Sequence, residues 1–214
     1  MTLILPDDHI LEAERTGLVI FDALERARED FEESGAIKTI EQLVAACREV
    51  DVPIFYARAD HRVDGRDFEQ CRGDTDPDFQ PWDSHHSAPT VPPHGSGSFG
   101  LQVLPEVAPL PGDYDIPKHR WSAFSGTCLE VSLRSRDIDT ILLVGGSTHV
   151  GIAATAYAGR DLDFHVVVVS DGCTGHEEQR HYFVGSVFPR MCHVLTAAEV
   201  LAALIGQARG NNVH

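Results

Sequence analysis

Three short stretches of this chain carry side chains that could do chemistry together. Asp22 closes the apolar run Gly17-Leu18-Val19-Ile20-Phe21, Lys118 closes Asp115-Ile116-Pro117, and Gly145-Gly146-Ser147-Thr148-His149-Val150-Gly151 stands between an apolar run and a helical pattern. A carboxylate and an ammonium in one semi-enclosed crevice set each other's protonation. The lysine favours the ionised aspartate, burial favours the neutral acid, and the balance decides whether the aspartate rests as a base or an acid. The helix starting near Val150 would aim unpaired backbone N–H groups at the same crevice, where they suit a carboxylate or a developing oxyanion. Ser147, Thr148 and His149 add two hydroxyls and an imidazole to the turn. Sequence neighbours rarely point at one another and turn hydroxyls commonly cap the following helix, so these three read as turn residues rather than as a nucleophile with its base.

Bringing those stretches together requires strands that end at one edge. Residues 17–21 form a continuous apolar run of strand length, as expected of a strand buried on both faces of a parallel sheet. Ile37, Ile40, Leu43, Val44, Cys47 and Val50 recur at helical spacing, and Val52-Pro53-Ile54-Phe55-Tyr56-Ala57 supplies a second strand. Thr140-Ile141-Leu142-Leu143-Val144 leads into the glycine turn, and His165-Val166-Val167-Val168-Val169 ends at Ser170-Asp171 before another helical stretch. His193-Val194-Leu195 and an Ala/Leu-rich helix over 197–208 close the chain. With a short strand at Asp115-Ile116-Pro117, the pattern predicts a three-layer α/β/α, doubly wound, Rossmann-like domain with about six mainly parallel strands. In such sheets the ligand crevice lies beyond the carboxyl ends of the strands, where Asp22, Lys118 and the glycine turn fall.

The 214 residues suit one domain spanning 1–214. The polar stretch of about 60–100 lacks periodicity and reads as a long functional loop over the active-site edge or at an oligomer contact. A net charge of −16, from 17 basic and 33 acidic residues, disfavours nucleic-acid and anionic-membrane partners. No apolar run reaches membrane-spanning length and no signal peptide is evident, so a cytoplasmic protein is expected. The five cysteines, Cys47, Cys71, Cys128, Cys173 and Cys192, include no CxxC pair, which points to reduced thiols. Cys47 reads as core, and Cys173 as a small buried thiol with a substitute nucleophile as the alternative.

The same residues resemble the isochorismatase-like, or cysteine hydrolase, superfamily over most of the chain. Leu18-Val19-Ile20-Phe21-Asp22 is similar to the family's first strand and catalytic aspartate. Pro117-Lys118-His119-Arg120-Trp121-Ser122-Ala123-Phe124-Ser125-Gly126-Thr127 is similar to its lysine segment, and the Gly145 to Gly151 turn to its nucleophile turn. Most members place cysteine where this chain has Gly151, and the resemblance implies a cis peptide at Gly146-Ser147. Amidases of the family resemble one another in an Asp-Lys-Cys triad, which glycine cannot complete. True isochorismatases look like this chain in carrying glycine there, which implies protonation of a vinyl ether by the aspartate with water completing the cleavage.

The expectation is therefore a thiol-independent hydrolase of a small, cyclic metabolite, with Asp22 as general acid or base, Lys118 orienting it, and Gly146, Ser147, Thr148 and Gly151 forming the nucleophile-position and anion-hole turn. Loss of the side chain at Gly151 is expected to open space for a bulkier substrate. Alternatives are an amidohydrolase with a relocated nucleophile and a non-catalytic small-molecule binder. Trp82, Phe99, Trp121 and Phe124 are pocket candidates, although ordinary packing explains them equally. Asp60, His61, His85, His86 and His94 invite a metal reading because some nicotinamidase-like members hold a cation with an aspartate and two histidines. Adjacent histidines in a polar loop read as solvated, so no metal and no cofactor are expected. The resemblance also implies a homodimer or homotetramer.

Overall fold

The computed structural model describes residues 11–64, 66–67 and 95–210. Six strands, β1 (Thr16–Phe21), β2 (Ile54–Ala59), β3 (Tyr114–Lys118), β4 (Thr140–Gly145), β5 (His165–Cys173) and β6 (His193–Leu195), form one sheet in the order β3-β2-β1-β4-β5-β6. All neighbouring pairs are parallel. This is the expected doubly wound sheet, and its order reverses between β1 and β4, which creates a crevice at their carboxyl ends.

Because side chains alternate along a strand, β1 feeds both faces. Leu18 and Ile20 join Ile54, Tyr56, Leu142, Val144, Val167 and Val169 beneath α1 (Arg28–Ser34), α2 (Ala36–Glu49) and α6 (Ala197–Gly210). Val19 and Phe21 join Phe55, Ala57, Ile116, Ile141, Leu143, Val166 and Val168 beneath α3 (Leu129–Arg134) and α4 (Ala153–Asp161). A sixth helix, α5 (Glu177–Tyr182), follows β5. Burial on both faces explains why β1, β4 and β5 read as unbroken apolar runs rather than alternating ones.

The structure moves several boundaries. The helix expected near Val150 begins as a π-helical turn, Thr148–Ile152, before α4. Strand β5 runs past Asp171 to Cys173, its last residue, which pairs with Gly145 at the end of β4 and is buried at the carboxyl edge of the sheet. Of the polar stretch, the described ends meet in a bridge between His61 and Gly95, and Ser96 N–H donates to the His61 carbonyl at 2.7 Å. Among the described residues no helix is long and apolar enough to cross a membrane.

Candidate active site

Asp22 follows β1 with a left-handed backbone, φ 45°. Aspartate tolerates that region better than most residues with a Cβ, and the turn redirects its side chain from the sheet's alternation towards the strand ends. Its Oδ1 accepts from the Ala59 N–H at 2.7 Å and its Oδ2 from Lys118 Nζ at 2.8 Å. Strand register delivers both donors. β2 lies beside β1 with Ala57 opposite Phe21, and Lys118 at the end of β3 lies opposite Ala59. The pair is buried, Asp22 at 9% and Lys118 at 5% exposure, so the contact forms away from bulk water. Arg26, one turn on, brings a second cation within 3.5 Å of Asp22 Oδ2. Each of these three contacts brings a hydrogen-bond donor to the Asp22 carboxyl oxygens. Lys118 Nζ also stands 4.1 Å from the centre of the Phe21 ring.

The glycine turn closes the other side. Gly145 adopts φ 121°, and a Cβ there would fall 1.9 Å from the Phe21 carbonyl oxygen, so β4 can approach β1 only with glycine at this position. The Gly146 N–H donates to that same carbonyl at 3.0 Å, and the Gly146-Ser147 bond is cis, as the resemblance implied. Thr148 is buried and wholly committed to β5's end: its N–H and its hydroxyl both donate to the Thr174 carbonyl, at 2.8 and 2.6 Å. Ser147 sits at the N-cap position, yet its hydroxyl makes no cap bond. Instead Ser147 Oγ lies 3.1 Å from His149 Nδ1, contrary to the expectation that these neighbours would not face each other. The intervening Thr148 turns inward to Thr174, and Ser147 stands before the π-helical turn with an extended backbone, φ −91° and ψ 143°.

Gly151 is buried, but the space expected beside it is filled. A Cβ on Gly151 would meet the Phe21 ring at 2.1 Å from Cε1 and 2.4 Å from Cζ. The ring occupies the volume a nucleophilic side chain would need, so the reading that Gly151 opens room for a bulkier substrate is corrected. Cys173 is no substitute: burial pushes its thiol up to about 12, where almost none is thiolate near neutrality. Cys47 and Cys192 are pushed up to about 12 for the same reason.

A family model described as an isochorismatase domain matches residues 16–199. The chain belongs to the isochorismatase family. It is 38% identical over 112 residues, 48% of this chain and 60% of the relative, to the uncharacterized isochorismatase family protein YecD of Escherichia coli O157:H7. It is 31% identical over 140 residues, 63% of this chain and 59% of the relative, to the ureidoacrylate amidohydrolase RutB of Cronobacter sakazakii. These matches therefore span about three fifths of the curated relatives' own length. Among solved structures, an isochorismatase family protein from Burkholderia thailandensis superposes with a TM-score of 0.75 at 28% identity, covering 91% of this chain and 97% of its own.

The pocket candidates fare unevenly. Trp82 lies outside the described residues. Phe99 and Trp121 are 69% and 44% exposed, so neither walls an enclosed site. Phe124 stacks on Phe164, just before β5 begins, with ring centres 5.5 Å apart. That contact, with Gly159 near the end of α4 beside the same ring, places the Phe124 side chain towards the amino end of the sheet, away from the crevice, although the Ala123 N–H donates to Thr155 Oγ1 in the first turn of α4 at 3.0 Å.

His85, His86 and His94 also lie outside the described residues, and Asp60 instead faces Arg58 at 3.4 Å. One possible cation set does form near Lys118. His61, Asp67 and His119 place one ligand atom each within 4.8 Å of one another, with His119 Nδ1 3.2 Å from Asp67 Oδ2. The Arg120 guanidinium donates to the Asp67 carbonyl at 2.8 Å and holds that loop in place. His61 and His119 are far apart in sequence. The signal that would have paired them is the β2–β3 register, which sets Ala59 opposite Lys118 and so brings the two following histidines together.

Proposed function

We propose that this chain is a thiol-independent hydrolase of a small metabolite, in which Asp22 transfers the proton and Lys118 holds and tunes it. The observation that carries the reading is the buried 2.8 Å contact between Lys118 Nζ and Asp22 Oδ2 at the switch point of the sheet. A carboxylate so held can take a proton from water or from a substrate hydroxyl and return it to a leaving group. Gly151 has no side chain with which to attack, so water or another residue must supply the nucleophile. Arg26, part-exposed beside Asp22, suits a substrate carrying negative charge. The bond cleaved is C–O of a vinyl ether or C–N of an amide or ureido group, the second supported by the resemblance to an amidohydrolase.

Asp22→Asn removes the proton carrier with little change of shape. Against a panel of vinyl ethers, ureido acids and carboxamides, turnover of whichever substrate the wild type accepts is expected to fall at least ~100-fold with the far-UV circular dichroism spectrum unchanged. Wild-type turnover by that variant would overturn the reading. A ligand that binds tightly and is recovered unchanged would instead make the chain a binder. The expected homodimer or homotetramer is tested by light scattering on the same preparations.

An amidohydrolase with a relocated nucleophile is the second reading, and the contact between Ser147 and His149 favours it.

A further inference from the structure

We propose that Ser147 and His149 form a hydroxyl–imidazole pair that supplies the missing nucleophile for acyl transfer in the crevice of Asp22 and Lys118. This rests on reading that crevice as hydrolytic and adds to it the atom that attacks.

Place comes first. Strand β4 ends with Gly145 opposite Phe21, and the Gly146 N–H is bonded to the Phe21 carbonyl, so Ser147 emerges at the sheet edge where Asp22 emerges from β1. Ser147 and His149 are both part-buried, sheltered yet reachable. The pairing comes next. Ser147 Oγ and His149 Nδ1 lie 3.1 Å apart, within the reach a base needs to take a hydroxyl proton.

The ordinary duties of a turn serine are absent or done by others. Its hydroxyl does not cap the helix, and its carbonyl accepts the Val150 and Ile152 N–H groups, each at 3.2 Å. Thr148, the other hydroxyl of the turn, is tied to Thr174 and cannot compete. The loop after β5 packs closely on the serine: Gly175, at φ 131°, carries no side chain, and a Cβ there would stand 3.0 Å from Ser147 Oγ. The imidazole is steadied by ring neighbours, His176 at 6.3 Å and Phe183 at 6.4 Å between centroids. Meanwhile the usual nucleophile position is closed by the Phe21 ring against Gly151.

The step balances without any outside reagent but water. Ser147 Oγ forms a bond to the acyl carbon as its proton passes to His149 Nδ1, and the carbonyl π pair moves onto oxygen. That pair returns as the carbon–nitrogen or carbon–oxygen bond to the leaving group breaks, and the imidazolium protonates the departing atom. A water then loses a proton to the same imidazole and adds to the acyl carbon. The Oγ–carbon bond breaks, and Ser147 recovers its proton.

A biotinylated fluorophosphonate, which phosphonylates activated serines with loss of fluoride, tests this on the full chain without knowledge of the substrate. The expected result is a single adduct on Ser147 by peptide mass spectrometry, no adduct in Ser147→Ala, and labelling slowed at least ~100-fold in His149→Gln. Ser147→Cys should retain the fold and put an iodoacetamide-reactive thiol at this position, alkylated faster than exposed Cys128. No adduct on native protein, or an adduct elsewhere that persists in Ser147→Ala, overturns the proposal. Asp22→Asn separates the two readings. Ser147 labelled while Asp22→Asn turns over at the wild-type rate sinks the role of Asp22 alone, and an unlabelled Ser147 with Asp22-dependent turnover sinks the nucleophile alone.

Discussion

Gly151 and Phe21 should behave as one packing unit, and a double-mutant cycle on unfolding free energy measures this directly. In Gly151→Ala the new methyl would sit 2.1 and 2.4 Å from two ring carbons of Phe21. Carbon atoms pack at about 3.5–4.0 Å, so the ring must retreat by roughly 1.5 Å. It has little room to do so, being 2% exposed and packed beneath α4, with Lys118 Nζ 4.1 Å from its centre. Overpacking of this kind costs about 1–3 kcal/mol. For a chain of this length about 2 kcal/mol lowers the melting temperature by roughly 4–8 °C. Phe21→Ala alone should cost about 3–5 kcal/mol through the cavity it leaves. In the double variant the methyl introduced by Gly151→Ala enters that cavity, so the combined loss should fall short of the sum by about 1–3 kcal/mol. Urea unfolding followed by circular dichroism gives all four corners. Additivity to within about 0.5 kcal/mol would show that the ring does not occupy the space beside residue 151, and the account of the closed nucleophile position would fail with it. The functional corollary is that Gly151→Cys alone gains no reactive thiol, whereas Phe21→Ala with Gly151→Cys gains one that iodoacetamide detects.

Three further outcomes follow from the same contacts. Lys118→Ala leaves the buried Asp22 carboxyl group with only the part-exposed Arg26 as a cation and should destabilise the fold by about 3–5 kcal/mol in chemical unfolding, with part of the loss recovered by adding Asp22→Asn; equal stability of Lys118→Ala and wild type would contradict the buried pair. Iodoacetamide at pH 8 should alkylate Cys128 in the native protein and spare Cys47 and Cys173, whose thiols burial pushes up to about 12, with catalytic rate retained; a loss of rate that tracks modification of Cys173 would return the thiol to the mechanism. Hydrogen bonds from Arg28 hold the carboxyl groups of Glu25 and Glu106 below their ordinary value, so their contribution to stability is present above that value and lost as pH falls through the lowered ones. Thermal melts between pH 6 and pH 3 should accordingly show an acid decline that Arg28→Ala makes shallower, and an unchanged slope would remove these contacts from the account.

How much of this can be read from the chain depends on the range of the interaction. The strands are legible because burial on both faces leaves an uninterrupted apolar run, a local property visible in Leu18 to Phe21 and Ile141 to Val144. Their ends are less so: β5 continues through polar Ser170 and Asp171 to Cys173 because pairing of Cys173 with Gly145 across a register shift holds it, and apolarity does not report that. Asp22 and Lys118 are legible by position at strand ends, since a parallel sheet sends all such residues to one edge. Phe124 misleads because an aromatic near the lysine segment carries no mark of the sheet end to which it packs. The occupation of the Gly151 space by Phe21 is hidden for a similar reason: it is a contact between β1 and the turn after β4, decided by which face residue 21 takes.

That face also bears on the choice of nucleophile. Phe21 and Asp22 are adjacent, but the left-handed turn at Asp22 separates them, leaving the ring beneath α4 and the carboxylate among the donors of β2 and β3. A large side chain at position 21 therefore closes the position at 151 without displacing the Asp22 carboxyl group. Glycine at 151 is then a steric requirement of Phe21. In the proposed reaction the attacking atom therefore approaches from outside the ring, from solvent or from the turn residues that precede it. Ser147 is the hydroxyl of that turn not already tied to the backbone of β5's end, because Thr148 is. Reopening the space with Phe21→Ala should therefore weaken the fold through the cavity while leaving Ser147 and His149 in contact, so phosphonylation of Ser147 should persist in that variant wherever it remains folded.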